Sequence, residues 1–305
     1  MSSSADGVSK DKKTHGISES YSPESKIDES LEELKRDGYT ILRNIFSRDE
    51  CETAKLKIDE IYKKQVEEFG GEKNLEYIND QNVARALFVY DDFFLKFLAN
   101  DNILSILENS FGKKYILNLQ NSPINKPYDS HYGSTWHRDL SYQHFVPSRP
   151  VAINVLICLN DFTEKNGGTH ILPGSHRFEM FPSKNYINKN EKQIIASVGD
   201  AFIFDSLLFH RAGANNTDEE RKLLVHMFTL PFVKQQINYP NMLNGKHIDN
   251  PKLSYLLGYD SETENTILDW RNRRKKRYDL ANKKWIQYNK ILNHIRFNNV
   301  FLQNI

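Results

Sequence analysis

Residues 151–161 read VAINVLICLND, and this stretch is the clearest guide to the fold class. Its odd-numbered positions, from Val151 to Leu159, are β-branched or aliphatic, whereas the even-numbered positions include Asn154 and Asn160. Such an alternation predicts a β-strand whose two faces meet different surroundings. We expect one face to pack against an apolar layer and the other face to line a cavity.

Further short strands are predicted on both sides of this one, separated by turn signals such as Gly199-Asp200. They cover residues 39–42, 115–120, 169–173, 201–205 and 223–230. Many short strands at this spacing favour a double-sheet jelly roll or cupin-like barrel. Helices are predicted beside the strands, so the fold class is α+β, with a double-stranded β-helix core and flanking helices.

The chain is predicted to have three parts. Residues 1–30 are rich in serine and charge and poor in large apolar side chains, which predicts a disordered tail. Residues 31–238 form the jelly-roll domain, and residues 239–305 form a helical extension that packs on the core. Within the extension, residues 271–277 are strongly basic. We interpret this run as a solvated helix face that preceding acidic residues neutralise, with anion binding as the alternative.

The composition argues against several classes of partner. The formal net charge is only +1, which does not favour binding to nucleic acid. We find neither an apolar run of the ~18 residues that a membrane span needs nor the apolar core of a secretory signal. The only cysteines are Cys51 and Cys158, so a disulfide framework is not expected. These features predict a cytoplasmic protein, and they leave the oligomeric state open.

The chemistry is concentrated in residues 136–139, which read WHRD. Because residues i and i+2 of a strand point to the same face, His137 and Asp139 would project side by side. A distant histidine, His210, would complete a set of two imidazoles and one carboxylate. That set, with coordination positions left open, is the signature of non-haem Fe(II) oxygenases.

An ordered series of motifs follows this metal motif. It comprises residues 166–169 (NGGT), 172–176 (LPGSH), 199–200 (GD), His210 and Arg221. As a set, the series resembles the phytanoyl-CoA dioxygenase (PhyH) family of Fe(II)/2-oxoglutarate-dependent oxygenases, over residues 34–232. The resemblance implies Fe(II) as cofactor, 2-oxoglutarate and O2 as cosubstrates, and ascorbate as a candidate reductant.

The resemblance also implies a residue that binds the far carboxylate of 2-oxoglutarate. Arg221 follows His210 by eleven residues, which is the family spacing, and a guanidinium can bind a carboxylate through two hydrogen bonds. Arg211 is a rival, but it adjoins His210 and should point to the opposite face of a strand. Four further side chains are candidate cosubstrate contacts, with a purely structural role as the alternative for each: Ser134, Thr169, Asn118 and Gln120.

The substrate pocket is the least constrained part of the prediction. Candidate walls are Trp136, Tyr142 and His176. The predicted function is oxidation of an unactivated C–H bond of a small molecule in specialised metabolism. Hydroxylation is the default outcome, and desaturation and oxidative cyclisation are alternatives. A non-catalytic, metal-binding cupin-like protein is the alternative function.

Overall fold

The computed structural model describes residues 23–128, 132–140 and 145–301, which form nine strands and ten α-helices. The strands are β1 (Tyr39–Leu42), β2 (Val83–Arg85), β3 (Ile116–Asn125), β4 (Ala152–Cys158), β5 (His170–Ile171), β6 (Lys192–Gln193), β7 (Ala201–Asp205), β8 (His210–Arg211) and β9 (Arg221–Thr229). The helices are α1 (Lys26–Asp37), α2 (Arg48–Glu68), α3 (Glu72–Tyr77), α4 (Leu87–Tyr90), α5 (Leu95–Leu98), α6 (Asp101–Phe111), α7 (Lys184–Asn190), α8 (Tyr239–Leu243), α9 (Pro251–Leu256) and α10 (Ile267–Phe301).

The strands form two antiparallel sheets. The large sheet has the order β1-β7-β4-β9-β3-β2, and the small sheet has the order β6-β5-β8. Strands that are distant in the chain are therefore neighbours in space, as in a double-stranded β-helix. The α+β jelly-roll prediction is confirmed.

The central strand β4 has the two faces that its alternation predicts. Ile153, Val155 and Ile157 are fully buried in apolar surroundings. Asn154 and Leu156, on the other face, line a cavity between the two sheets. One strand thus contributes both to the hydrophobic core and to the wall of the cavity.

Helices cover the outer face of the large sheet. The longest of these is α2, which begins at a capping box in which Ser47 and Glu50 satisfy each other's backbone N–H groups. Its buried stripe includes Ala54, Ile58 and Ile61. The sequence predicts both the cap and the stripe.

The structure places the start of the first helix and the end of strand β3 at other residues than the sequence predicts. The helix α1 begins at Lys26, because the Ser25 hydroxyl caps it by accepting from Asp28 N, so residues 26–30 of the predicted tail are helical. Residues 1–22 of the predicted tail lie outside the described residues. Strand β3 continues to Asn125, beyond the predicted end at residue 120, because its second half pairs with both β2 and β9.

The chain divides into two compact units, the first ending at Leu257 and the second beginning at Gly258. The predicted boundary at residue 239 is therefore too early. The reason is Tyr239, which is fully buried, packs edge-on against Phe88 at 4.9 Å between ring centroids, and accepts a hydrogen bond from Gln120 N at 3.0 Å. Packing of the residues beyond Gly258 on the core stays a prediction.

The second unit contains the basic run. Arg273 forms an ion pair with Glu264 at 2.8 Å and donates to the Glu262 and Tyr259 carbonyls, both at 2.9 Å. Glu264 thus neutralises one residue of the run, Arg273. The interpretation of the whole run as a neutralised helix face stays a prediction. Within the described residues, no helix combines the length and the apolar character that crossing a membrane requires.

Candidate active site

The backbone brings the metal motif to the small sheet. His137 and His210 form an isolated antiparallel bridge, with reciprocal N–H to carbonyl bonds of 3.0 and 3.1 Å. Asp139 N donates to Ser206 O at 3.1 Å, so the segment also contacts the connection between β7 and β8. Arg138, between the two predicted ligands, points away and donates to the Ser175 carbonyl at 2.9 Å. The alternation expected of an HxD strand segment is therefore present.

The three predicted metal ligands converge. Asp139 Oδ1 lies 3.5 Å from His137 Nε2 and 3.5 Å from His210 Nε2. One candidate ligand atom from each residue lies within 4.8 Å of the other two. Metal–ligand bonds of about 2.0–2.2 Å place neighbouring ligand atoms about 3 Å apart. The side chains therefore need only small adjustments to bind one ion, and the donor set suits Fe(II).

Both imidazoles are oriented for metal binding by their own backbone. His137 Nδ1 lies 2.7 Å from the Thr135 carbonyl, and His210 Nδ1 lies 2.9 Å from the Leu208 carbonyl. A carbonyl only accepts, so each Nδ1 carries the proton and each Nε2 presents a lone pair. This is the usual way in which outer partners fix the tautomer of a metal-binding histidine.

Asp139 is held in its ionised form. Burial opposes ionisation, but when the two imidazoles are protonated, the charges of His210 and His137 and their hydrogen bonds to Asp139 outweigh it and hold the pKa of the Asp139 carboxyl well below its usual range. The second carboxylate oxygen, Oδ2, accepts a short hydrogen bond from Asn154 Nδ2 on β4. Asn154 thereby links the large sheet to the metal site and leaves Oδ1 turned toward the two histidines.

The metal motif opens into a cavity of about 270 Å³ between the two sheets. The same cavity is lined by Arg221, which is the first residue of β9 and is 3% exposed. Arg221 Nε donates to the Asn166 carbonyl at 2.9 Å, and the guanidinium lies 4.5 Å above the Phe162 ring. Its Nη1 has no hydrogen-bond partner among the described residues. Burial lowers the pKa of Arg221 to about 10. A buried cation with an unused donor fits an anionic ligand in this cavity.

The alternation of β9 separates cavity residues from structural ones. Leu223, Val225 and Met227 line the cavity together with Arg221. His226 points to the outer face, where its ring lies 3.1 Å from Gln120 Nε2 and burial lowers its pKa to about 3. Arg211, the rival of Arg221, instead pairs with Glu191.

One of the four candidate cosubstrate contacts lines the cavity, and the other three do not. Thr169 is buried and lines the cavity. Ser134 is exposed and is absent from the cavity wall, which its neighbour Gly133 contributes to instead. Its predicted role as a cosubstrate contact therefore lacks support, because the short helical turn at residues 132–134 directs it outward.

Asn118 and Gln120, which are also candidate cosubstrate contacts, do not line the cavity. Asn118 Nδ2 donates to the Lys234 carbonyl at 3.0 Å, and Gln120 Oε1 accepts from Phe88 N at 3.0 Å, so both face the outer layer. A register shift between Leu117 and Leu119 precedes the segment in which Leu119 and Asn121 face the cavity. A slip of one residue exchanges the two faces of a strand.

Of the predicted substrate walls, the two that the structure describes, Trp136 and His176, are absent from the wall of this cavity. Trp136 packs against Phe181 and lies under the Arg211 guanidinium. His176 lines a different cavity, where it lies close to Gly38, and burial lowers its pKa to about 4. Tyr142 lies outside the described residues. Instead, Arg85, Asn121 and Gln236 bring polar groups to the cavity.

Asn154 provides a test of the metal geometry. We expect Asn154→Leu to lower Fe(II) affinity roughly 10- to 100-fold, which is the usual cost of losing an outer partner of a metal ligand. Leu156→Met, on the same strand and the same cavity wall, is the matched control and should bind Fe(II) normally. Anaerobic competition with a chelator measures both affinities. Equal affinities in the two variants would contradict the role of Asn154.

The jelly-roll fold, two histidines, a carboxylate and a buried arginine in one cavity define the class of non-haem Fe(II)/2-oxoglutarate oxygenases. The family comparison agrees. Residues 34–223 match the family described as Phytanoyl-CoA dioxygenase (PhyH), which is more than half of the 305-residue chain. The chain belongs to this family.

Individual relatives and solved structures share low sequence identity with this chain. An uncharacterised protein of Mycobacterium tuberculosis is 27% identical over 222 residues, which are 71% of this chain and 80% of that protein. Dioxygenase af480 of Aspergillus fumigatus is 26% identical over 223 residues, which are 70% of each chain. The crystal structure of EctD from S. alaskensis with 2-oxoglutarate and 5-hydroxyectoine has a TM-score of 0.56 at 18% identity, covering 67% of this chain and 76% of that one. At that identity the structural likeness supports the fold alone.

Proposed function

We propose that this protein oxidises an unactivated C–H bond of a small molecule in specialised metabolism, with hydroxylation as the default outcome. In this proposal His137, Asp139 and His210 hold Fe(II), and Arg221 and Thr169 hold the far carboxylate of 2-oxoglutarate. Bound together, Fe(II) and 2-oxoglutarate supply the activation of O2 that such a reaction needs. The residues of the chain bind, orient and enclose the reactants.

The observation that carries the proposal is the position of Arg221. Its unpartnered Nη1 opens into the cavity that His137, Asp139 and His210 also line. A binding protein for metal alone has no need of a second, buried cation at this site, where burial of a charge is costly. An anionic cosubstrate that spans from the metal to Arg221 accounts for both features.

Two further observations support a small substrate. The cavity of about 270 Å³ must hold the cosubstrate as well as the substrate. Apart from its polar groups, the wall is built from apolar side chains such as Leu119, Pro123 and Met227. A compact molecule with an apolar part near the metal fits this lining.

Buried free thiols at Cys51 and Cys158 support a reducing compartment.

An anaerobic titration tests the enzyme class. Fe(II) and then 2-oxoglutarate are added, and a weak visible metal-to-ligand charge-transfer band is expected to appear. Admission of O2 should then convert 2-oxoglutarate to succinate. Metal binding without the band, even at high 2-oxoglutarate, would favour the non-catalytic cupin-like alternative.

A further inference from the structure

A second arginine lines the cavity at the edge of the large sheet. Arg85 ends β2, and its Nε donates to both carboxylate oxygens of Asp80, at 2.8 and 3.1 Å. The Gln65 side chain fixes the Arg85 backbone from both sides, accepting from Arg85 N at 2.9 Å and donating to Arg85 O at 2.6 Å. The guanidinium is therefore anchored through its side chain and its main chain.

The backbone next to Arg85 is also strained. Ala86 has φ of +48°, a left-handed conformation that alanine rarely adopts. Its N–H donates to the Gln120 carbonyl at 2.7 Å, which helps to hold this conformation. Strain of this kind persists where the surroundings impose it, and such positions cluster at functional sites. Here it lies at the turn from β2 into α4, directly after Arg85.

Arg85 in turn orients Asn121 on the neighbouring strand. Arg85 Nη1 donates to Asn121 Oδ1 at 3.1 Å. A guanidinium carries only donors, so the amide atom that faces it must be the oxygen. The Asn121 amide nitrogen then forms the other arm, which leaves an N–H donor next to the guanidinium. Asn121 is paired with Val225 and lines the cavity beside it.

The charges around the cavity define what this pair can bind. Among the described residues that line it, Asp139 is the only acidic one, and the metal site uses it. Asp80 contacts Arg85 but is not part of the cavity wall. An N–H donor beside a guanidinium favours an oxygen acceptor and disfavours an ammonium group. Because Asp80 already balances the Arg85 charge, the acceptor can be neutral or anionic.

We propose that Arg85 and Asn121 form a subsite for a carboxylate or carbonyl oxygen of the substrate. This inference rests on the proposed function and narrows it, because the substrate class becomes a small organic acid or a carbonyl derivative of one. Asp80 and Gln65 are positioning residues that hold Arg85 in place. Arg221 binds the cosubstrate, and the Arg85–Asn121 subsite selects the substrate.

The test uses the protein loaded with Co(II) and saturating 2-oxoglutarate, with benzoate, benzamide and benzylamine as probes. Paramagnetic relaxation of the probe protons gives the dissociation constant and shows proximity to the metal. Benzoate and benzamide are expected to bind near the metal, and benzylamine at least about 10-fold more weakly. Stronger binding of benzoate than of benzamide would identify a carboxylate as the preferred group, and the reverse order a neutral carbonyl.

Variants assign the effect to the two residues. Arg85→Met and Asn121→Leu should each weaken benzoate binding at least about 10-fold while 2-oxoglutarate affinity stays within about two-fold. Arg211→Met, which alters an arginine absent from the observed cavity wall, should change neither. If Arg85→Met fails to fold by circular dichroism, Arg85→Lys replaces it, since it keeps the charge but loses the two-pronged contact.

Three results would overturn the proposal: benzylamine binding as tightly as benzoate, unchanged benzoate binding in both variants, or a loss of 2-oxoglutarate affinity in place of benzoate affinity. The last result would assign the subsite to the cosubstrate. Failure of the proposed function itself is separate, because the wild-type protein with Fe(II) and 2-oxoglutarate would then show no charge-transfer band.

Discussion

Arg221→Met is expected to weaken 2-oxoglutarate binding roughly 30- to 5000-fold, and to leave Fe(II) binding nearly unchanged. The range corresponds to the cost of about 2–5 kcal/mol for removing one partner of a buried, hydrogen-bonded charge pair. Methionine retains most of the side-chain volume over the Phe162 ring, so packing is largely kept. The charge-transfer band, titrated with 2-oxoglutarate at fixed Fe(II), measures the change.

Arg221→Met is not expected to lower the stability of the protein when 2-oxoglutarate is absent. Arg221 is buried, and its Nη1 has no partner among the described residues, so its charge destabilises the fold until an anion arrives. We expect Arg221→Met to melt no lower than the wild type without 2-oxoglutarate, and to lose the rise in melting temperature that 2-oxoglutarate gives the wild type.

A matched control separates this role from a general effect of arginine. Arg211→Met removes a guanidinium that pairs with Glu191 instead of lining the cavity. Its affinity for 2-oxoglutarate should equal that of the wild type. If Arg221→Met bound 2-oxoglutarate as tightly as Arg211→Met, another residue would have to hold the cosubstrate.

Asp139→Asn is the second large effect, with an expected loss of at least about 100-fold in Fe(II) affinity and of detectable conversion of 2-oxoglutarate to succinate. Outer partners of metal ligands already account for 10- to 100-fold, and Asp139 is itself the anionic ligand of the proposed site. Asparagine is nearly isosteric, so the change is chiefly one of charge. Chelator competition and succinate assays measure the two losses.

Asp205→Asn is the control, because it also removes one buried carboxylate. Asp205 lies at the end of β7, outside the observed wall of the metal cavity, and burial raises its pKa to about 6. Its Oδ1 accepts from Leu207 N at 2.9 Å, a bond that asparagine can keep. Fe(II) binding should survive in this variant. Comparable losses in both variants would point to a general effect of buried charge and against metal binding by Asp139.

The sequence predicts the parts of the fold that depend on local patterns. The alternation around Asn154 predicts both the strand and its cavity face, and the Ser47–Glu50 pair predicts the start of α2. The extent of the first unit to Leu257 cannot be predicted in this way. It includes Tyr239, which packs against Phe88, and that contact joins segments about 150 residues apart.

The site residues can likewise be predicted where local patterns determine their position, but not where contacts between distant segments do. The structure brings His137, Asp139 and His210 together with Arg221, because period-two alternation and motif order determine which face each occupies. The assignment of Asn118 and Gln120 is wrong because the register of β3 depends on an irregularity near Leu117, which leaves no mark in the sequence. Asn121 and Arg85 are missed for the same reason, since only strand pairing places them beside each other.

Strand β9 carries residues of two proposed kinds along its length. It begins at Arg221, the proposed cosubstrate contact. Val225, Met227 and the nearby Gln236 line the same cavity beyond that point. We expect a chimera that exchanges only residues 224–238 to keep the proposed cosubstrate contact and to replace part of the proposed substrate wall. Substitutions in the second half of this strand therefore alter the lining of the cavity and leave Arg221 in place.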